Sequence, residues 1–166
     1  KLSADKKEAL NFTVKMNSLL KYKTSIKSKT LKVDGYAPYY VAHTIQKNVK
    51  DSVRFNKDRG TRFSSYLKIE KNGGKLTYTD SILTVNGATE AKLYLSIATS
   101  FNGFDKDPAK EGLNNKAIAK KQLSLAYKKG YDKIKEKHLS DYQNFFNRVE
   151  LNLGKTIAPN IPTDER

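Results

Sequence analysis

The spacing of apolar residues changes once along this 166-residue chain and divides it into two parts. Up to about residue 101, apolar and polar residues alternate, which is the spacing of half-buried β-strands. From about residue 105, apolar residues recur every three or four positions, which is the spacing of an amphipathic helix. The sequence therefore predicts an α+β fold in which an antiparallel sheet comes before two helices.

The first part predicts several short strands joined by tight turns, as in an antiparallel β-sandwich. The clearest strand places four apolar side chains on one face: Leu10, Phe12, Val14 and Met16. Further strand patterns occupy residues 31–33, 63–70, 76–78, 82–85 and 91–99. Turn-forming residues predict the strand ends at Asp34-Gly35, Asn72-Gly73-Gly74, Asp80-Ser81 and Asn86-Gly87. Residues 36–62 predict a long, mostly polar connection that contains some strand.

The second part predicts two helices and a short strand. The first helix begins at Asp107-Pro108 or at Asn114-Asn115, since both supply a capping side chain, and it ends at Lys129 before Gly130. The second helix runs from residue 131 to about residue 147. Its apolar stripe contains Tyr131, Ile134, His138, Tyr142 and Phe145. A strand then follows, with Val149, Leu151 and Leu153 on one face.

These patterns predict three regions along the chain. A β-sandwich domain covers residues 1–104, a helical linker with its terminal strand covers residues 105–154, and an extended tail covers residues 155–166. The chain starts at Lys1 without a leader sequence, and Thr163 followed by acids has the pattern of a helix start. We therefore expect the natural protein to extend beyond both ends.

The composition limits the chemistry that the chain can perform. It has no cysteine, which excludes disulfides, cysteine-ligated metals and thiol nucleophiles. Its two histidines, His43 and His138, are far apart in the sequence, and neither has a second histidine three or four positions away, so a metal site is not predicted. No phosphate-binding glycine loop and no nucleophile elbow occurs. The sequence thus predicts no catalytic, cofactor-binding or metal-binding residue, and no cofactor.

The net charge of +15 raises the question of nucleic-acid binding, because lysine and arginine neutralise phosphates. Only five of the 32 basic residues are arginine, the better reader of bases and phosphates, and the lysines are spread along the chain. A basic nucleic-acid-binding protein is therefore one alternative, and a lysine-rich solvated surface is the other.

Tyrosines in one loop are the best candidates for a binding site. The run Gly35-Tyr36-Ala37-Pro38-Tyr39-Tyr40 places three aromatic rings close to one proline. Exposed tyrosine rings can stack on sugars, although aromatic residues near loops also pack inside proteins. We name Tyr36, Tyr39 and Tyr40 as candidate sugar contacts, and a stand-alone carbohydrate-binding module is a further alternative.

Several segments resemble glycoside hydrolase family 95, the inverting α-L-fucosidase family. The longest is His138-Leu139-Ser140-Asp141-Tyr142-Gln143-Asn144-Phe145-Phe146-Asn147-Arg148-Val149-Glu150-Leu151-Asn152-Leu153-Gly154, followed by residues 162–166. Shorter segments occur in the expected order: residues 2–6, 9–13, 35–38, 62–63, 72–74, 86–88 and 98–101. The resemblance covers nearly the whole chain and rests on the order and spacing of these motifs.

The resemblance implies a non-catalytic part of a larger enzyme. The chain would be the later part of a supersandwich-like N-terminal domain plus the linker, and it would stop before an (α/α)6 catalytic barrel. No position matches the family's catalytic motifs, so none is carried over. The implied partners are a fucosylated or related α-L-galactosyl oligosaccharide, reached through the parent enzyme, and the barrel itself, with no nucleic acid and no membrane. The implied location is outside the cytoplasm of a bacterium, secreted or periplasmic.

Overall fold

Most of the chain is antiparallel sheet, followed by two helices. The computed structural model describes residues 1–43, 49–152, 154 and 162–165. The strands are β1 (Leu2–Ser3), β2 (Leu10–Val14), β3 (Lys21–Lys27), β4 (Thr30–Tyr36), β5 (Tyr40–Val41), β6 (Val53–Arg54), β7 (Arg62–Thr79) and β8 (Ile82–Thr99). The helices are α1 (Asn115–Lys129) and α2 (Tyr131–Phe146), with a 3₁₀ turn at Thr163–Glu165. The predicted α+β fold class, an antiparallel sheet followed by two helices, is confirmed.

Six strands form the main sheet in the order β1-β8-β7-β4-β3, and β2 also pairs with β8. Strands β5 and β6 form a separate two-stranded ribbon within the connection at residues 36–62. The core covers one face of the main sheet. Its buried members are Leu31, Leu67, Ile69, Leu83, Val85, Ala88 and Ala91. The predicted apolar face of the first clear strand is confirmed, because Leu10, Phe12, Val14 and Met16 pack against this core.

The two long strands β7 and β8 correct two of the predicted turns. Asn72-Gly73-Gly74 lies inside β7 and Asn86-Gly87 lies inside β8, and the two segments face each other, with Lys75 paired to Asn86. Glycine there serves a β-bulge, since Gly73, Gly74 and Gly87 all have positive φ. The turn itself is Asp80-Ser81, as predicted, because Thr79 pairs with Ile82.

Asp34-Gly35 is also not a turn, because β4 continues through it to Tyr36 and pairs on both sides. A side chain at position 35 would meet the Phe63 ring and the Lys21 carbonyl oxygen. Glycine is therefore suited to this position because neighbouring groups approach the backbone closely. Strand β3, which pairs with β4, was not predicted from the sequence.

Helix α1 begins at the second of the two predicted starts. The Asn114 side chain accepts a hydrogen bond from the Ala117 amide at 3.1 Å, which makes Asn114 the N-cap. Asp107 instead organises a turn, because its side chain accepts from the Ala109 amide and its carbonyl accepts from the Glu111 amide. The end at Lys129 before Gly130 is confirmed.

Replacing Asn114 with alanine should lower the free energy of unfolding by about 0.5–2 kcal/mol, since the Ala117 amide loses its acceptor. Asn114→Asp keeps a side-chain acceptor and is the matched control. Chemical denaturation followed by circular dichroism measures both changes. Equal losses in the two variants would contradict the capping role.

Beyond α1 the chain differs from the prediction in one element. The two compact units are Lys1–Tyr131 and Asp132–Arg166. The predicted strand near the end does not form over residues 149–152, and Leu153 and the tail residues 155–161 and 166 lie outside the described residues. Val149 and Leu151 are exposed, and no described strand pairs with them, so alternation alone does not produce a strand here. The predicted domain limits at residues 104 and 154 stay predictions.

Candidate functional site

Tyr36 lines a cavity beside the N-terminus of α1. It ends β4, opposite Lys21 on one side and Arg62 on the other. Its ring meets Phe55 edge to face, with ring centres 6.1 Å apart. Because Lys21, Tyr36 and Arg62 are register partners, their side chains lie on the same face of the sheet.

Tyr39 and Tyr40 lie apart from this cavity, in and beside the β5–β6 ribbon. The Arg59 guanidinium lies 4.3 Å from the centre of the Tyr39 ring, and Arg54 lies 4.8 Å from that of Tyr40. Both rings are partly exposed, at 36% and 37%. An arginine already stacks on each ring. Their role as sugar contacts stays a prediction.

The first cavity has a volume of about 840 Å³ and lies beside the N-terminus of α1. Four cationic side chains line it: Lys21, Lys23, Arg62 and Lys116. The lining also includes the single carboxylate of Asp34 and the side chain of Asn115. Sequence reasoning missed this cluster. The available signal was that Lys21, Lys23 and Lys27 are separated by even numbers of positions, two and four, which places them on one face of a strand.

A hydrogen-bond network holds the one carboxylate of this cavity. Ser64 donates to Asp34, and buried Asn115 donates to the Ser64 hydroxyl at 2.7 Å. The Lys116 ammonium lies 3.8 Å from the other Asp34 oxygen. Burial and the neighbouring Asp34 raise the pKa of Tyr66 above its usual value. Asp34 is therefore linked to α1 through Ser64 and Asn115, and the ammonium of Lys116 lies near its charge.

Two other carboxylates lie near each other, on β7 and β8. Glu70 and Glu90 each approach the Lys92 ammonium, at 3.6 and 3.5 Å, and Lys1 lies 2.6 Å from Glu90. The Lys1 hydrogen bond lowers the pKa of Glu90. A glycosidase general acid needs a raised pKa instead. Glu90 therefore lacks the property of a general acid, and Glu70, Lys92, Glu90 and Lys1 form a chain of ion pairs.

Across residues 1–43, 49–152, 154 and 162–165, no three acidic or histidine side chains converge as a metal site would require. In the same part of the chain, neither helix is long and apolar enough to cross a membrane.

Comparison with known proteins identifies the family to which the chain belongs. Residues 1–103 match the family model described as glycosyl hydrolase family 65, N-terminal domain. The whole chain is 30% identical to alpha-L-fucosidase 2 of Arabidopsis thaliana, and it spans about a fifth of that protein's length, 21%. The family model covers more than half of the chain, including every strand of the main sheet. The chain therefore belongs to the family of glycosyl hydrolase family 65 N-terminal domains.

Proposed function

We propose that this chain is a non-catalytic accessory part of a longer carbohydrate-active enzyme of the family 95 type. The parent enzyme would hydrolyse terminal α-L-fucosyl or related α-L-galactosyl linkages with inversion. The observation that carries the proposal is the combined match, to an N-terminal domain family over residues 1–103 and to alpha-L-fucosidase 2 over the whole chain. The relative is about five times as long, which leaves room for a separate catalytic domain.

The chemistry of the described residues supports the accessory role. Glycoside hydrolysis usually needs two carboxylates on opposite sides of the scissile bond, one of them with a raised pKa. Asp34 is held by Ser64 and Lys116, and Glu70 and Glu90 share Lys92. These three acids make structural contacts, which agrees with the proposal that catalysis belongs to a part of the enzyme outside this chain.

Exposed apolar groups support further contacts of the chain within the parent enzyme. Leu95 and Ile97 are 54% and 60% exposed, although their register places them on the core face of the sheet. Over residues 92–99, β8 has only β7 as a partner among the described strands. A second layer of a supersandwich would cover this end of the sheet. On α2, exposed Tyr142 and Phe145 would contact the catalytic barrel.

The proposal extends to partners and location. The oligosaccharide substrate would be bound by the parent enzyme, with this chain bracing the barrel. The enzyme would act outside the cytoplasm, in the periplasm or after secretion.

Assays of the parent enzyme test the proposal. The longer protein that contains this chain should release L-fucose from aryl α-L-fucosides, and nuclear magnetic resonance should detect the inverted anomer first. A parent that retains configuration, or that cleaves no α-L-fucoside or α-L-galactoside, would contradict it.

A further inference from the structure

A second cavity follows the first along the same strands and the same helix. It has a volume of about 400 Å³ and lies between α1 and the β3–β4–β7 part of the sheet. Five lysines line it: Lys27, Lys32, Lys68, Lys120 and Lys128. No acidic residue lines it. We call the cationic lining of both cavities the lysine groove: Lys21, Lys23, Lys27, Lys32, Arg62, Lys68, Lys116, Lys120 and Lys128.

Secondary structure explains why these lysines share one surface. Lys21, Lys23 and Lys27 lie an even number of positions apart on β3, so they point to the same face of the sheet. Lys116, Lys120 and Lys128 lie four and eight positions apart on α1, so they share one side of the helix. The helical lysines span about 18 Å at 1.5 Å per residue. The groove is therefore an extended strip of positive charge.

The charges of this strip are poorly balanced. Asp34 is the single carboxylate among its lining residues, and Ser64 and Lys116 already engage it. Three lysines outside the groove do contact carboxylates: Lys1 and Lys92 contact Glu90, and Lys106 contacts Asp105. Like charges in a concave surface repel one another and raise the local concentration of anions. A bound polyanion would relieve that repulsion along the whole strip.

We propose that the lysine groove binds a negatively charged polysaccharide, one that carries sulfate esters or carboxylates. The inference rests on the proposed function, because it takes a sugar polymer as the ligand of a carbohydrate-active enzyme. Two adjoining cavities in line suit a polymer better than a single small anion. Flexible lysines supply charge without fixed geometry, which suits anionic groups at irregular spacing.

The second cavity of the groove is less suited to nucleic acid. Single-stranded nucleic acid binds through aromatic rings that are free to stack on bases. In the second cavity, Tyr66 is 4% exposed with the Lys32 ammonium 5.0 Å from its ring centre. The Lys68 ammonium lies 3.8 Å from the ring centre of Tyr127. Both rings are thus covered by lysines, and Arg62 is the one arginine among the nine cations.

Binding measurements on the full chain test this inference. The probes are dextran sulfate, polygalacturonate, neutral dextran and an oligonucleotide of matched charge, each titrated at low and high salt. We expect saturable binding to at least one anionic polysaccharide and none to neutral dextran. The affinity should fall steeply with salt, because ion pairs release bound counterions. The two anionic polysaccharides distinguish sulfate from carboxylate recognition.

A matched pair of variants locates the site. The groove variant replaces four exposed lysines with glutamine: Lys23, Lys27, Lys120 and Lys128. The control variant removes the same charge from exposed lysines that do not line either cavity: Lys15, Lys75, Lys121 and Lys129. Each variant loses one lysine from the last turn of α1, so their helix-end effects match. Circular dichroism checks that both fold.

We expect the groove variant to lose about tenfold or more in affinity and the control variant to lose less than about threefold. Equal losses in both variants would overturn the proposal, because the binding would then reflect diffuse charge. Tighter, groove-dependent binding of the oligonucleotide would overturn it in favour of nucleic acid. Absence of binding at low salt would overturn it as well. None of these outcomes changes the fucosidase assays of the parent, so the two proposals can fail separately.

Discussion

Replacing Leu83 with alanine is expected to lower the free energy of unfolding by about 2–5 kcal/mol. Leu83 lies in β8 between Val14 of β2 and Tyr78 of β7, and its side chain is 0% exposed. The loss combines the transfer of buried methyl groups with the cavity that they leave. A domain is stable by about 5–15 kcal/mol, so this one change removes a large share of its stability.

Leu95→Ala is the matched control, because it is the same substitution on the same strand at a side chain that is 54% exposed. We expect it to cost less than about 1 kcal/mol. Urea unfolding of both variants, followed by circular dichroism, gives the difference. Equal costs would contradict the placement of the core and would weaken the proposal that another layer covers Leu95 in the parent enzyme.

A second large effect is expected at the β-bulge, where Gly74→Ala should destabilise the chain much more than Gly73→Ala. Both glycines have positive φ, +62° and +74°, so both substitutions carry the cost of a left-handed residue, about 1–2 kcal/mol. A methyl group at Gly74 would also overlap the Asn86 carbonyl oxygen and the Gly87 backbone. At Gly73 the nearest atom would be the Gly87 carbonyl oxygen at 3.6 Å, an ordinary contact.

The overlap should add about 1–3 kcal/mol to the Gly74 variant, because β7 and β8 must separate to admit the methyl group. Urea unfolding also compares these two variants. Because the same substitution is made at adjacent positions, its effects on the unfolded chain should be nearly equal in the two variants. Equal destabilisation of the Gly73 and Gly74 variants would show that the strands are not paired in this register. That result would restore the hairpin turn that the sequence predicted at this point.

The contrast between the bulge and the start of α1 shows what sequence patterns can predict. Asn114 caps its helix through an amide three residues away, so a local pattern contains the necessary information. The glycines at positions 73, 74 and 87 signal positive φ correctly. Whether positive φ makes a turn or a bulge depends on which strand lies opposite. That is settled by the pairing of β7 with β8 and not by neighbouring residues.

The lysine groove depends on long-range contacts more than the β-bulge or the start of α1 does. Lys23 and Asp34 become neighbours only through the pairing of β3 with β4, and Lys116 joins them only when α1 packs on the sheet. In the sequence these residues are separate charges within a diffuse total of +15. The fold converts part of that total into one strip. The sequence predicts Tyr36 as a candidate sugar contact because a dense aromatic run is visible locally, and that role stays a prediction. Its cationic neighbours are not visible in the local sequence.

We propose that this chain belongs to a glycoside hydrolase but does not itself catalyse hydrolysis. The most direct test of that proposal is the release of nitrophenol from 4-nitrophenyl α-L-fucoside by the purified chain. We predict a rate equal to that of buffer. The contrary result would be a rate that rises with chain concentration and disappears at a lower urea concentration in the Leu83→Ala variant than in the unmodified chain. Activity that follows the stability of this chain would belong to it, and the accessory role would then be wrong.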